Sequence, residues 1–171
     1  MKTKKISPTT YRSKIDKNVT FQKWDTPVSR CDDLIFLYLI RGSGNMYFFF
    51  QTTYREKKES RYFIFKISRF SPMRMMEEEF AYSSVWKLFD STRKRKKEDY
   101  GKTKIMWNTK FIRDVDVNAM MANYDVSKIH TIPQYLINTN DETIEIIPDG
   151  VGEWSEFKYK DINKIISKIL K

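Results

Sequence analysis

The chain has 171 residues, 40% of them hydrophobic and 15% aromatic, with only five Gly and five Pro. That length suits one folded domain with its own core, and the composition excludes a disordered polypeptide. Thirty-two Lys and Arg against 22 acids leave a formal charge of +10, a field that attracts nucleic acid, anionic membranes or acidic proteins without choosing among them.

Residues 1–30 are polar and basic and read as an arm, with one short strand near residues 19–24. The basic start, Met1 to Lys5, is followed by polar residues, not by the apolar stretch of a signal peptide. Cys31 is the single cysteine, which excludes an intramolecular disulfide and a cysteine-based metal cluster and points to a reducing, cytoplasmic or intracellular setting. Residues 34–40 and 46–53 are rich in β-branched and aromatic side chains, and Gly42-Ser43-Gly44 between them predicts a hairpin turn before it suggests a nucleotide cradle. These runs fall far short of the roughly 20 residues of a membrane-spanning helix. A third strand is predicted over residues 61–68.

Ser71 is a good N-cap and Pro72 suits the first helical position, which predicts a helix from Ser71 to Asp90. Met73, Met76 and Phe80 at spacings of three and four fill its core face. Residues 91–104 form a basic insertion. Its run Arg93, Lys94, Arg95, Lys96 and Lys97 reads either as a solvated block or as a set of phosphate contacts. Residues 105–107 and 111–117 look strand-like, and residues 118–124 look like one or two helical turns. Residues 129–138 and 143–147 flank turn residues and predict a second hairpin. Ile162, Ile165, Ile166, Ile169 and Leu170 sit at i, i+3, i+4, i+7 and i+8, with Lys164 and Lys168 opposite, and predict an amphipathic terminal helix.

Read from Arg61 onward, the predicted order is strand, Ser-Pro-led helix, strand, short helix, Ile-Pro, hairpin, Gly and amphipathic helix. This resembles the thioredoxin fold. Residues 63–67 are similar to the strand entering a thioredoxin active site, and Phe70-Ser71-Pro72-Met73 is similar to its Cys-Gly-Pro-Cys loop, with Phe70 and Met73 at the cysteine positions. Residues 114–117 resemble the strand ending in an acid, Ile132-Pro133 resembles the segment at the family's cis-proline, and Asp149-Gly150 falls where a Gly precedes the last helix. The resemblance implies an α/β, thioredoxin-like mixed sheet flanked by helices over residues 31–171, carrying an N-terminal β-hairpin and the basic arm.

Thiol exchange needs a thiolate nucleophile and a resolving thiol, and neither Phe70 nor Met73 supplies one. The resemblance therefore implies a redox-inactive protein with no catalytic residue and no cofactor, in which Phe70, Ser71, Pro72, Met73, Ile132 and Pro133 line an apolar groove for a protein partner. His130 is isolated from any cysteine nucleophile, and Asp114, Asp116 and Asp125 lack the spacing of a calcium loop. The expected function is a structural or scaffold component of a larger assembly, with a viral particle among the candidates. A basic nucleic-acid-associated protein, helped by Tyr11 and Tyr100, and a degenerate redox protein using Cys31 are the alternatives.

Overall fold

The structure, a computed structural model, describes residues 10–13, 16–55, 59–77, 102–115 and 130–171. The chain enters with β1 (Thr10–Arg12) and β2 (Thr20–Lys23), then forms β3 (Asp33–Gly42), β4 (Asn45–Tyr54) and β5 (Glu59–Ser68). It continues with β6 (Met73–Glu77), β7 (Thr103–Trp107), helix α1 (Lys110–Asp114), β8 (Pro133–Asn138), β9 (Glu142–Ile146) and β10 (Glu153–Phe157). A 3-10 turn (Tyr159–Asp161) leads into helix α2 (Ile162–Ile169). The strands form two sheets. One has six strands in the order β1-β2-β7-β8-β9-β6, the other four in the order β10-β5-β4-β3.

Every strand pairing in both sheets is antiparallel. That overturns the α/β thioredoxin-like expectation. Residues 73–77, expected to open a helix, form β6 against β9, with Met73 opposite Ile146 and Met75 opposite Ile144. The Ser71 hydroxyl caps no helix; it accepts the Asp149 N–H at 2.9 Å. Met73, Met75 and Met76 satisfy a helical and a strand period about equally, so cross-strand pairing decides the outcome. The remainder of that expected helix, residues 78–90, lies outside the described residues.

Residues 111–114, expected as strand, belong to α1. Asn108 leaves β7 with φ of 56°, and the Thr109 hydroxyl accepts the Ile112 N–H as N-cap, a start signal short enough to escape a periodicity reading. Pro133 opens β8 opposite Trp107, and no peptide among the described residues is cis. Gly150, with φ of 95°, turns the chain into β10 rather than into the last helix. The two hairpins, the strand near residues 19–24 and the terminal helix are where the sequence places them.

The unbroken apolar runs of β3 and β4 have a physical cause: both faces of the four-stranded sheet are covered. On the inner face Leu34, Met46, Phe48, Phe50, Phe63, Phe65 and Ile67 pack with Ile137, Ile144 and Ile146 of the six-stranded sheet. Trp24 enters this layer from the loop after β2, stacked on Tyr135 at 4.3 Å and edge-on to Phe65 at 5.5 Å. On the outer face Tyr38, Ile40, Tyr47, Phe49 and Ile64 pack under Ile162, Ile165, Ile166 and Ile169 of α2. A bulge between Phe36 and Tyr38 inserts Leu37 and switches the parity of β3, so that Leu34 and Phe36 face inward while Tyr38 and Ile40 face the helix.

Helix α2 has eight residues, too few to persist alone in water, so docking holds it. The Ser43 hydroxyl donates to the Ile169 carbonyl at 3.0 Å. Gly42 has no Cβ where one would lie 2.4 Å from the Ile169 carbonyl oxygen and 2.9 Å from Ile169 Cγ2. Backbone cannot yield there as a flexible side chain would. Gly42→Ala should lift the C-terminal end of α2, lower stability by about 1–3 kcal/mol in urea titrations, and speed amide exchange in α2 before the rest of the sheet.

Candidate functional site

The described residues carry nineteen Lys and Arg against fourteen Asp and Glu, an excess of five. Residues 158–171 alone hold five lysines against Asp161, an excess of four. It is the most basic of the described stretches; residues 102–115 carry an excess of three, and residues 130–157 hold six acids and no Lys or Arg. Amphipathic docking explains the arrangement, because the isoleucines take the sheet-facing side of the segment and leave the lysines outside. Lys160, Lys164, Lys168 and Lys171 follow at steps of four, four and three, and with Lys158 they are all exposed. None of the five forms an ion pair among the described residues, whereas Lys66 and Arg61 on neighbouring β5 are matched by Glu153 and Glu156 of β10. Helix stability accounts for Lys168 in the last turn, where a cation opposes the negative end of the helix dipole. It does not account for Lys158 and Lys160, which flank the opposite, positive end.

Between Lys158 and Lys160 stands Tyr159, 58% exposed. Its ring lies 5.0 Å from that of Tyr62 on β5, which lies 5.7 Å from Phe157. Phe157 continues to Phe49 at 5.7 Å, and Phe49 to Tyr38 at 4.7 Å, so an aromatic run crosses the outer face of the sheet and ends in solvent at Tyr159. The Tyr38 hydroxyl is buried without a hydrogen-bond partner among the described residues, and burial, then the neighbouring Tyr159, pushes its titration upward. Alongside, a groove of about 570 Å³ between α2 and β10 has Tyr47, Ile64 and Ile169 among its apolar walls and Lys66 and Lys168 among its basic ones.

No family model, curated protein or solved structure matches this chain.

The expected partner groove is differently arranged. Phe70 lies in the turn after β5, 62% exposed, with the Arg69 guanidinium 4.8 Å from its ring. Ser71 is buried, the Pro72 carbonyl accepts the Ile147 N–H at 2.9 Å, and Met73 is inside β6. Ile132 is buried against Ile147, and Pro133 begins β8, with β9 between β8 and β6. Ile147 therefore lies between the two halves of the expected groove. Arg93, Lys94, Arg95, Lys96 and Lys97 lie outside the described residues, as do Tyr100, Asp116 and Asp125. His130 is exposed in a short turn before β8, and Asp114 ends α1, ion-paired with Lys110. The Cys31 thiol is buried, donates to the Val28 carbonyl at 3.1 Å and has its pKa pushed up to about 11 by burial, conditions opposite to those of a reactive thiolate. No helix among the described residues is long and apolar enough to cross a membrane.

A second polar cluster occupies the other face of the six-stranded sheet. Register places Arg74, Glu145, Leu136, Lys104 and Lys23 side by side across five strands. Glu145 is 1% exposed and bound by Arg74, whose guanidinium also lies 4.6 Å from the Phe111 ring. Nearby, Thr109 donates to Gln134, whose Nε2 has no partner among the described residues. Burial pushes the Glu145 pKa up, and Arg74 opposes that shift. A carboxyl held by an arginine inside a sheet is a folding element, and breaking it leaves a buried unpaired charge.

Arg74→Met should cost about 2–3 kcal/mol near neutral pH, less than for a fully buried pair because Arg74 is a third exposed. With its folded pKa raised, Glu145 favours the folded state most when protonated, below its unfolded pKa of 4.5, and that contribution is lost as pH rises through the folded value. The deficit of Arg74→Met, measured by denaturation, should therefore narrow from about pH 7 to about pH 5.

Proposed function

We propose that this chain is a non-catalytic, nucleic-acid-associated component of a larger assembly, and that the lysine face of residues 158–171 is its contact surface. The observation that carries this reading is an excess of four positive charges on one exposed stripe whose lysines form no ion pair among the described residues. A step of four residues advances about 6 Å along a helix, inside the ~8 Å Debye length at physiological salt. The stripe therefore acts on a polyanion as one field. Pairing of Lys66 and Arg61 with Glu153 and Glu156 supports the same reading, because it neutralises the strand that adjoins the stripe.

The test is fluorescence anisotropy of a labelled oligothymidine at increasing salt. Release of counterions from about four phosphates on a single strand gives a slope of log K against log salt near −2.8, or about fiftyfold weaker binding between 50 and 200 mM. In its native source the protein should then co-purify with nucleic acid in a complex that high salt dissolves. A free monomer with no oligonucleotide binding at low salt contradicts the proposal.

A further inference from the structure

Resting on that reading, we infer that Tyr159 is a base-stacking platform, so that the nucleic acid bound by the lysine face is single-stranded. A lysine stripe by itself recognises phosphate in any polyanion. An exposed aromatic fixed among those lysines adds what only an unstacked base can use. Tyr159 is 58% exposed, whereas Tyr38, Tyr47, Phe49 and Phe157 on this face pack with α2. It is not a loose surface ring: it leans on Tyr62 at 5.0 Å with 36° between the planes, and Tyr62 is itself set against Phe157. The ring is therefore positioned before a ligand arrives, which reduces the entropy lost on stacking. Lys158 and Lys160 on either side are exposed and without ion pairs among the described residues, so a phosphate beside the stacked base meets a cation. Base-paired duplex offers its phosphates to the stripe but keeps its base faces stacked internally. An anionic lipid surface offers charge and no ring.

The experiment compares oligothymidine with an abasic oligodeoxynucleotide of equal length, which keeps the phosphate charge and lacks bases. The wild-type chain should bind oligothymidine about five- to tenfold more tightly than the abasic strand at the same salt, the lower end of the range for one stacking contact. Tyr159→Ala should bring that ratio close to one while leaving the salt slope unchanged, and Tyr159→Phe should keep the ratio, since stacking needs the ring and not the hydroxyl. A wild-type ratio near one, a ratio unmoved by Tyr159→Ala, or phosphatidylserine vesicles bound as tightly as oligothymidine would overturn the inference. In the first two cases, steep salt dependence on both strands leaves the lysine-face proposal standing. Absence of binding to either strand removes both.

Discussion

Replacing Lys160, Lys164, Lys168 and Lys171 together by glutamine should flatten the salt dependence of oligonucleotide binding by about 2.8 in log–log slope and abolish most of the affinity at low salt. The substitution is a clean one because these side chains are exposed and carry no ion pair among the described residues. The isoleucines that dock α2 are untouched, as is the hydrogen bond from Ser43 to the Ile169 carbonyl. Loss of the Lys168 cation from the last turn of α2 weakens the helix by only a few tenths of a kcal/mol. Circular dichroism and the urea midpoint should therefore remain close to those of the parent. A variant that stays folded and keeps the parental salt slope would place the phosphate contacts elsewhere.

Phe65→Ala should be the most damaging single change in the core, at about 3–5 kcal/mol, a large part of the stability of an ordinary domain. Phe65 has no exposed surface and lies within 4.9 Å of Trp154, 5.5 Å of Trp24 and 6.1 Å of both Phe48 and Tyr135, so its ring joins residues of both sheets. It also occupies the space left by Gly152, where a Cβ would meet Phe65 Cζ at 2.3 Å. Gly152→Ala in the parent should therefore cost about 1–3 kcal/mol through overpacking. In a Phe65→Leu background, which lacks the opposing ring atoms, its cost should fall. Urea titration of the four proteins gives the coupling directly, and additive effects would contradict the packing of β5 beneath residue 152.

The sequence made the local elements readable wherever one period dominated. The isoleucines of α2 at three- and four-residue steps have no strand interpretation, and Ser43-Gly44, both with positive φ, close the β3–β4 hairpin as a Gly-rich pair between apolar runs predicts. Residues 73–77 were ambiguous, because a Ser-Pro start and three methionines fit a helix until β9 is available to pair with. Helix α1 was hidden by its length, and β10, with its Glu-Trp-Ser-Glu-Phe sequence, by its low hydrophobicity at a sheet edge.

The thioredoxin resemblance failed for a related reason: it rested on the order of elements, and order is silent on which strands pair and in which direction. The apolar runs at residues 34–40 and 46–50 held the better clue, since their lack of alternation requires cover on both faces. The basic face was partly legible through Lys164 and Lys168 opposite the isoleucines. Tyr159 was not, because its support by Tyr62 comes from a strand about a hundred residues earlier.

The central claim is one of location, and the most direct measurement is an amide chemical-shift map of the labelled chain titrated with oligothymidine. The largest shifts should fall on residues 158–171 and on Tyr62, and should disappear together as salt is raised. Shifts confined to Arg93 through Lys97, or to the Arg69–Phe70 turn, with residues 158–171 unmoved, would contradict it.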